Sequence, residues 1–330
     1  MENDIRAGVL GTGSSVPEKV LSNTDLEQMV ETSNDWIVTR TGIEERRIAN
    51  YGESTSDYAT LACRRALESA GVSADEVDLI VCATVTPDMM FPATACLIQH
   101  KLGANRAAAF DMSAACSGFI YALSLSSAFI ESGRYKKVLV VAGDLLSRIT
   151  NYEDRSTCIL FGDGAGAVLL GPVKGDKGFL AFDLGADGSG ADFLLQPAGG
   201  SSIPATLESV EKGLHYLQMS GQETFKFAVK AMVSSTERVL ETAGIDIKDI
   251  DLLIPHQANI RIIDAARRRF GLNEGKVMVT LHKYGNTSSS SMAIALDEAV
   301  REGRVKAGDL LVIVGFGGGL TWGSTALRLN

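Results

Sequence analysis

The chain has 330 residues, 45% hydrophobic and 22% charged, with a net charge of −9. That is the composition of an ordinary folded chain, long enough for two domains or one duplicated one, and it excludes the disordered and low-complexity classes. The acidic balance speaks against nucleic-acid binding. With no signal core at the amino terminus and no apolar run near the roughly 20 residues of a membrane span, a cytoplasmic protein without membrane contacts is expected.

In chain order, residues 7–13 read as a strand, and a helix is expected from Asn23 or Thr24. A polar-aromatic segment, 32–42, follows. Helical spacing returns over 55–70, closed by Gly71, and 77–83 reads as a buried strand. The stretch 110–119, Phe-Asp-Met-Ser-Ala-Ala-Cys-Ser-Gly-Phe, organises the rest. An apolar run over 107–110 leads into it, and Phe119, Ile120, Leu123, Leu125, Phe129 and Ile130 give 118–130 a helical pattern. Cys116 is therefore expected where a strand hands over to a helix. There, free backbone N–H groups and the positive end of the helix dipole favour the thiolate. A lone cysteine more commonly fills core space, so its meaning depends on its neighbours. The five cysteines are odd in number and lie mostly in apolar runs, which argues against a disulfide framework and for a reducing compartment.

The chain repeats itself. Residues 66–80 align without a gap on 239–253, an offset of 173, with six of the 15 pairs identical. Glu131-Ser-Gly-Arg134 before the apolar 138–142 resembles Arg301-Glu-Gly-Arg304 before 310–314, now offset by 170. Two copies of one α/β unit are expected, 1–175 and 176–330, joined near 171–187. Helices alternating with strongly apolar strands call for mainly parallel sheets covered on both faces.

The repeat also brings polar groups together. Cys116 lies 17 residues before Gly133, and Asn286 lies 17 before Gly303, so equivalent turns present a cysteine and an asparagine. His256 follows the expected strand 250–254, and ligands in such sheets gather at the carboxyl ends of strands. Cysteine, histidine and asparagine in one place suit acyl transfer, with the sulfur carrying the acyl group and the other two donating hydrogen bonds. Singly, His256 reads as a core histidine and Asn286 as a turn former. The four histidines show no metal-ligand spacing. Glycine-rich 162–166 is no phosphate loop, because a strand over 167–170 follows where a helix amino terminus would be needed.

Ala115-Cys-Ser-Gly118, Pro255-His-Gln-Ala-Asn259, Tyr284-Gly-Asn-Thr-Ser288, Phe161-Gly-Asp-Gly-Ala-Gly166 and Gly315-Phe-Gly-Gly-Gly319 together resemble the β-ketoacyl-acyl carrier protein synthase III family, end to end and in family order. The resemblance implies a thiolase fold, with two mixed, mainly parallel sheets in a five-layered αβαβα arrangement. It implies an enzyme that starts type II fatty acid synthesis without a cofactor or metal. In that scheme an acyl-CoA, acetyl-CoA by default, acylates Cys116, and malonyl-acyl carrier protein is then decarboxylated and condensed.

By the same resemblance, Cys116, His256 and Asn286 are catalytic, and the N–H groups of Cys116 and Gly318 form an oxyanion hole. Thr32, Trp36, Arg40, Arg155 and Asn259 contact CoA. Gln257, Arg261, Lys226, Arg268 and Arg269 meet the carrier protein, and Phe91 reaches a neighbouring subunit's acyl pocket in a homodimer. The competing readings are a Cys-His-Asn condensing enzyme of secondary metabolism and a non-catalytic partner of the same fold. A degradative thiolase fits poorly, since the 315–319 loop lacks a second cysteine, and an elongating synthase would have a histidine in place of Asn286.

Overall fold

The computed structural model describes residues 5–330. Its first sheet contains strands β1 (Ile5–Ser15), β2 (Leu79–Ala83), β3 (Ala108–Met112), β4 (Val138–Leu145) and β5 (Asp163–Lys174), in the order β1-β5-β4-β2-β3. The second contains β6 (Gly178–Ala186), β7 (Leu252–Pro255), β8 (Leu310–Gly317) and β9 (Thr321–Arg328), in the order β7-β8-β9-β6. The two orders superimpose strand for strand. The missing counterpart of β3 survives as a single parallel bridge, Leu253 to Val277.

Register carries the repeat further than spacing could. Leu79 pairs with Val138 in the first sheet and Leu252 with Leu311 in the second, both pairs displaced by 173 residues. The three residues lost before Gly303 are thus regained before β8. One side-chain device recurs with the register. The Asp78 carboxylate accepts the Lys136 and Lys137 N–H groups at 2.8 and 3.0 Å, and the Asp251 carboxylate accepts the Leu310 N–H at 2.8 Å.

The main helices are α1 (Asn34–Thr41), α2 (Thr55–Ala70), α3 (Thr94–Leu102), α4 (Gly118–Glu131), α5 (Gly221–Ala243), α6 (Ile260–Phe270) and α7 (Ser290–Arg301). Strand side chains alternate between two apolar environments, which is why these strands read as continuous apolar runs. Val138, Val140 and Ala142 join Leu311 and Ile313 in a central core with Phe119, Ile120 and Leu123 of α4 and Met292, Ala293 and Leu296 of α7. Leu139 and Val141 face outward onto Ala59, Ala62 and Ala66 of α2, while Val312 and Val314 face Ala228, Met232 and Val239 of α5. Helices α4 and α7 form the middle of five αβαβα layers, as expected.

The sheets are mixed, but they are not mainly parallel. Only β2-β3 and β2-β4 in the first sheet, and β7-β8 in the second, run parallel. Strands β8 and β9 are joined by three residues, 318–320, which leaves no room for a crossover and forces an antiparallel pair. The segment 162–166 enters β5 directly, and its glycines admit α7 closely, with Gly166 against Ala293. Among the described residues no helix is long and apolar enough to cross a membrane.

Candidate active site

Cys116 sits in the single turn Ala115–Ser117 between β3 and α4, with Ala115 at φ +47°. The end of β8 presses on that turn. A Cβ added at Gly317 would lie 2.5 Å from the Cys116 backbone nitrogen, so only glycine lets the two halves of the chain close here. Cys116 is 8% exposed and stands at the junction of two cavities. One, of about 90 Å³, is shared with His256, Asn286 and Asn259. The other, of about 190 Å³, has an apolar wall of Val85, Leu146, Ile149, Leu194, Leu195 and Leu217, with Gly318 also on its lining. It shares Val85, Ile149 and Gln196 with a surface cleft edged by Met89 and Met90.

The environment of the sulfur corrects one expectation. Burial pushes the Cys116 thiol up to about 12, and the hydrogen bond from Ser288 Oγ at 3.5 Å only partly opposes it. Position at a helix start is outweighed by loss of water, so the free protein holds a thiol rather than a thiolate. Alkylation of Cys116 by iodoacetamide, followed by peptide mass spectrometry, should therefore accelerate about tenfold per pH unit through pH 9–10. A plateau below pH 8 would indicate a depressed thiol and contradict the burial argument.

His256 follows the last residue of β7. Its N–H donates to Val314 O at 2.8 Å, Nδ1 meets Ser291 Oγ at 2.8 Å, and the ring lies edge-on to Phe316 at 5.2 Å. Burial alone pulls the imidazole down to about 3, so it is neutral at physiological pH. Asn286 is pinned by the opposite half of the chain. Its N–H donates to Leu160 O at 2.8 Å and its C=O accepts the Gly162 N–H at 3.0 Å. Its Oδ1 accepts the Ser288 N–H at 2.9 Å, which leaves the amide nitrogen as the group free to donate into the cavity. The structure thus brings Cys116, His256 and Asn286 to one cavity.

At the outer end of that cavity, Asn259 caps α6 through the Arg261 N–H at 2.9 Å and donates to the Arg40 C=O at 3.0 Å. The Arg40 and Arg155 guanidinium groups lie 4.6 and 5.0 Å from the Trp36 ring centroid. Arg155 also reaches Glu31 O at 3.0 Å, and the buried Thr32 Oγ1 has no partner. Trp36, Arg40, Arg155 and Asn259 thus form one polar-aromatic patch, which Thr32 adjoins through its chain neighbour Glu31.

Arg261, Arg268, Arg269 and Lys226 are exposed; Arg269 pairs with Glu237 and Lys226 with Glu223. Gln257 does not belong with them. It is 1% exposed, its amide donating to Pro255 O and Met278 O and accepting from the Thr280 and Leu281 N–H groups, so it is a buried strut and cannot touch a docked protein. Phe91 is 85% exposed beside Met90 and lines neither cavity of its own chain. Sequence reasoning missed Ser288, Ser291 and Phe161, the last lining both cavities. The only signal for the serines was the hydroxyl run 287–291 after Asn286.

A buried cysteine before a central helix, with an imidazole and a carboxamide from the second repeat on the same cavity, defines a thiolase-fold condensing enzyme. The comparisons with known proteins are specific. Residues 110–188 match the family described as 3-Oxoacyl-[acyl-carrier-protein (ACP)] synthase III, and 240–329 match its C-terminal counterpart. The chain is 57% identical to Beta-ketoacyl-[acyl-carrier-protein] synthase III of Caldanaerobacter subterraneus subsp. tengcongensis over 98% of both chains. It resembles the crystal structure of 3-oxoacyl-[acyl-carrier-protein] synthase III from Aquifex aeolicus VF5 with a TM-score of 0.90 and 47% identity, covering 98% of this chain and 99% of the other. The priming β-ketosynthase of the R1128 polyketide pathway gives 0.92 and 40%, covering 98% and 96%. The chain belongs to the 3-oxoacyl-[acyl-carrier-protein] synthase III family.

Proposed function

We propose that this condensing enzyme, which initiates fatty acid synthesis, uses Cys116 as the acyl carrier, and His256 and Asn286 as the donors that promote decarboxylation. The reading rests above all on the place of Cys116, between the cavity that holds the polar ends of His256, Asn286 and Asn259 and a second, largely apolar cavity able to receive an acyl chain. An acyl-CoA enters past Trp36, Arg40, Arg155, Thr32 and Asn259, its phosphates and adenine suited to that cationic and aromatic patch. The acyl group moves to the sulfur, and CoA leaves. Malonyl-acyl carrier protein follows, and carbon dioxide departs as its thioester oxygen gains negative charge. A neutral His256 and the Asn286 amide stabilise that oxygen as donors, with no proton to abstract. The resulting carbanion attacks the Cys116 thioester, whose oxyanion is held by the N–H groups of Cys116 and Gly318. No cofactor or metal takes part. The nucleophile comes from the 1–175 half, and His256 and Asn286 from the 176–330 half.

Two further surfaces complete the proposal. Phe91, with Met89 and Met90, covers the open side of a partner subunit's acyl cavity in a homodimer. Arg261, Arg268, Arg269 and Lys226 receive the acidic carrier protein. Arg261→Glu should weaken carrier-protein binding about tenfold or more while acylation by acetyl-CoA stays unchanged. Titration with the carrier protein beside intact-mass acylation checks this, and unchanged binding would remove Arg261 from the surface.

The central test has two steps. Incubation with acetyl-CoA should leave an acetyl adduct on Cys116, and malonyl-carrier protein, but not malonyl-CoA, should then discharge it with release of carbon dioxide. No adduct from acetyl-CoA or any longer or branched acyl-CoA would refute the role of Cys116.

A further inference from the structure

A neutral histidine can donate from Nε2 only when Nδ1 carries no proton, so the proposed role of His256 depends on which tautomer the surroundings hold. His256 Nδ1 faces one group, Ser291 Oγ, at 2.8 Å, and Nε2 makes no hydrogen bond among the described residues. A serine oxygen can act either way toward an imidazole nitrogen, so the direction is decided by what else the hydroxyl does. The Gln257 backbone N–H donates to Ser291 Oγ at 3.2 Å and occupies one acceptor site. The hydroxyl proton then needs an acceptor, and no other is in contact with it among the described residues. The carbonyl four residues back, Thr287 O, already accepts from Ser290 Oγ at 2.7 Å.

We infer that Ser291 is a positioning residue that donates to His256 Nδ1 and so holds the imidazole as the Nε2–H tautomer, with the Gln257 N–H fixing the direction of the serine hydroxyl. This explains why Gln257 is buried and saturated. Four hydrogen bonds lock its amide between Pro255 O, Met278 O and the N–H groups of Thr280 and Leu281, and the locked residue aims its own backbone N–H at Ser291. Both Ser291 and His256 are almost wholly buried, at 2% and 1% exposure, so water does not compete for the contact.

The inference rests on the donor role proposed for His256, and two readouts separate them. The chain has four histidines, so long-range proton–nitrogen correlation spectra of the 15N-histidine-labelled protein resolve the His256 ring, assigned by its loss in His256→Ala. The wild type should show a protonated Nε2 and a bare Nδ1. Ser291→Ala should shift population to Nδ1–H and lower carbon dioxide release from malonyl-carrier protein about 10- to 100-fold, with acetylation of Cys116 unchanged. Ser291→Thr, which keeps the hydroxyl, should retain the wild-type spectrum and most of the activity. A wild-type ring protonated at Nδ1, or a Ser291→Ala protein with unaltered tautomer and rate, would overturn the inference. Full carbon dioxide release by His256→Ala would instead overturn the underlying role of His256.

Discussion

Asn286→Ala should lower carbon dioxide release from malonyl-carrier protein by a factor of about 10² to 10³, while acetyl transfer from CoA to Cys116 stays within about twofold of wild type. The magnitude is that of one donor removed from a developing oxyanion, about 3 to 4 kcal/mol of transition-state stabilisation. The selectivity follows from the role of that donor. Asn286 Oδ1 is tied to the Ser288 N–H at 2.9 Å, which leaves its amide nitrogen free to donate; in the proposed mechanism that donor acts on the malonyl thioester oxygen and not in the attack of the sulfur on an acyl-CoA. Radiolabelled acetyl transfer measured beside labelled carbon dioxide release checks both halves of the claim. Equal losses in the two steps would end this division of labour.

Gly162→Ala should be more damaging than a single methyl ordinarily is. An added Cβ would stand 2.2 Å from Tyr284 O and 3.1 Å from Arg46 Cβ. Neither neighbour yields easily. Tyr284 O is backbone, and Arg46 is fully buried with its guanidinium donating to Leu21 O, Asn23 Oδ1 and Ile159 O. Overpacking of this kind costs about 3 kcal/mol. The strain falls on the bridge between Phe161 and Asn286, so Asn286 would be displaced along with it. The expected result is a lower urea midpoint and a loss of decarboxylation larger than the loss of acylation. A stable variant with wild-type carbon dioxide release would show that this bridge does not position the carboxamide.

Sequence carried much of this architecture because the duplication is written in it twice. The 173-residue offset placed Leu79 and Leu252 at equivalent positions, and the equal 17-residue spacings set Cys116 and Asn286 on equivalent turns. Strand direction was less legible. The run 163–174 looks as apolar as a parallel strand because α7 covers one face and α2 the other, although both its neighbours run against it. Burial was least legible of all. Gln257 sits in the middle of a polar run and looks like a surface residue, yet four backbone groups close around it. The state of the Cys116 proton likewise depends on how much water reaches it, which spacing does not encode.

The bridge between Phe161 and Asn286 carries one more implication, for ancestry. A single-copy forebear would have built this pocket between two identical subunits, each offering the same turn, so any nucleophile gained would have appeared on both sides at once. Fusing the copies into one polypeptide removes that constraint. One turn is free to keep sulfur while its twin takes up a carboxamide, and a pocket with unlike walls can favour a sequence of two different substrates.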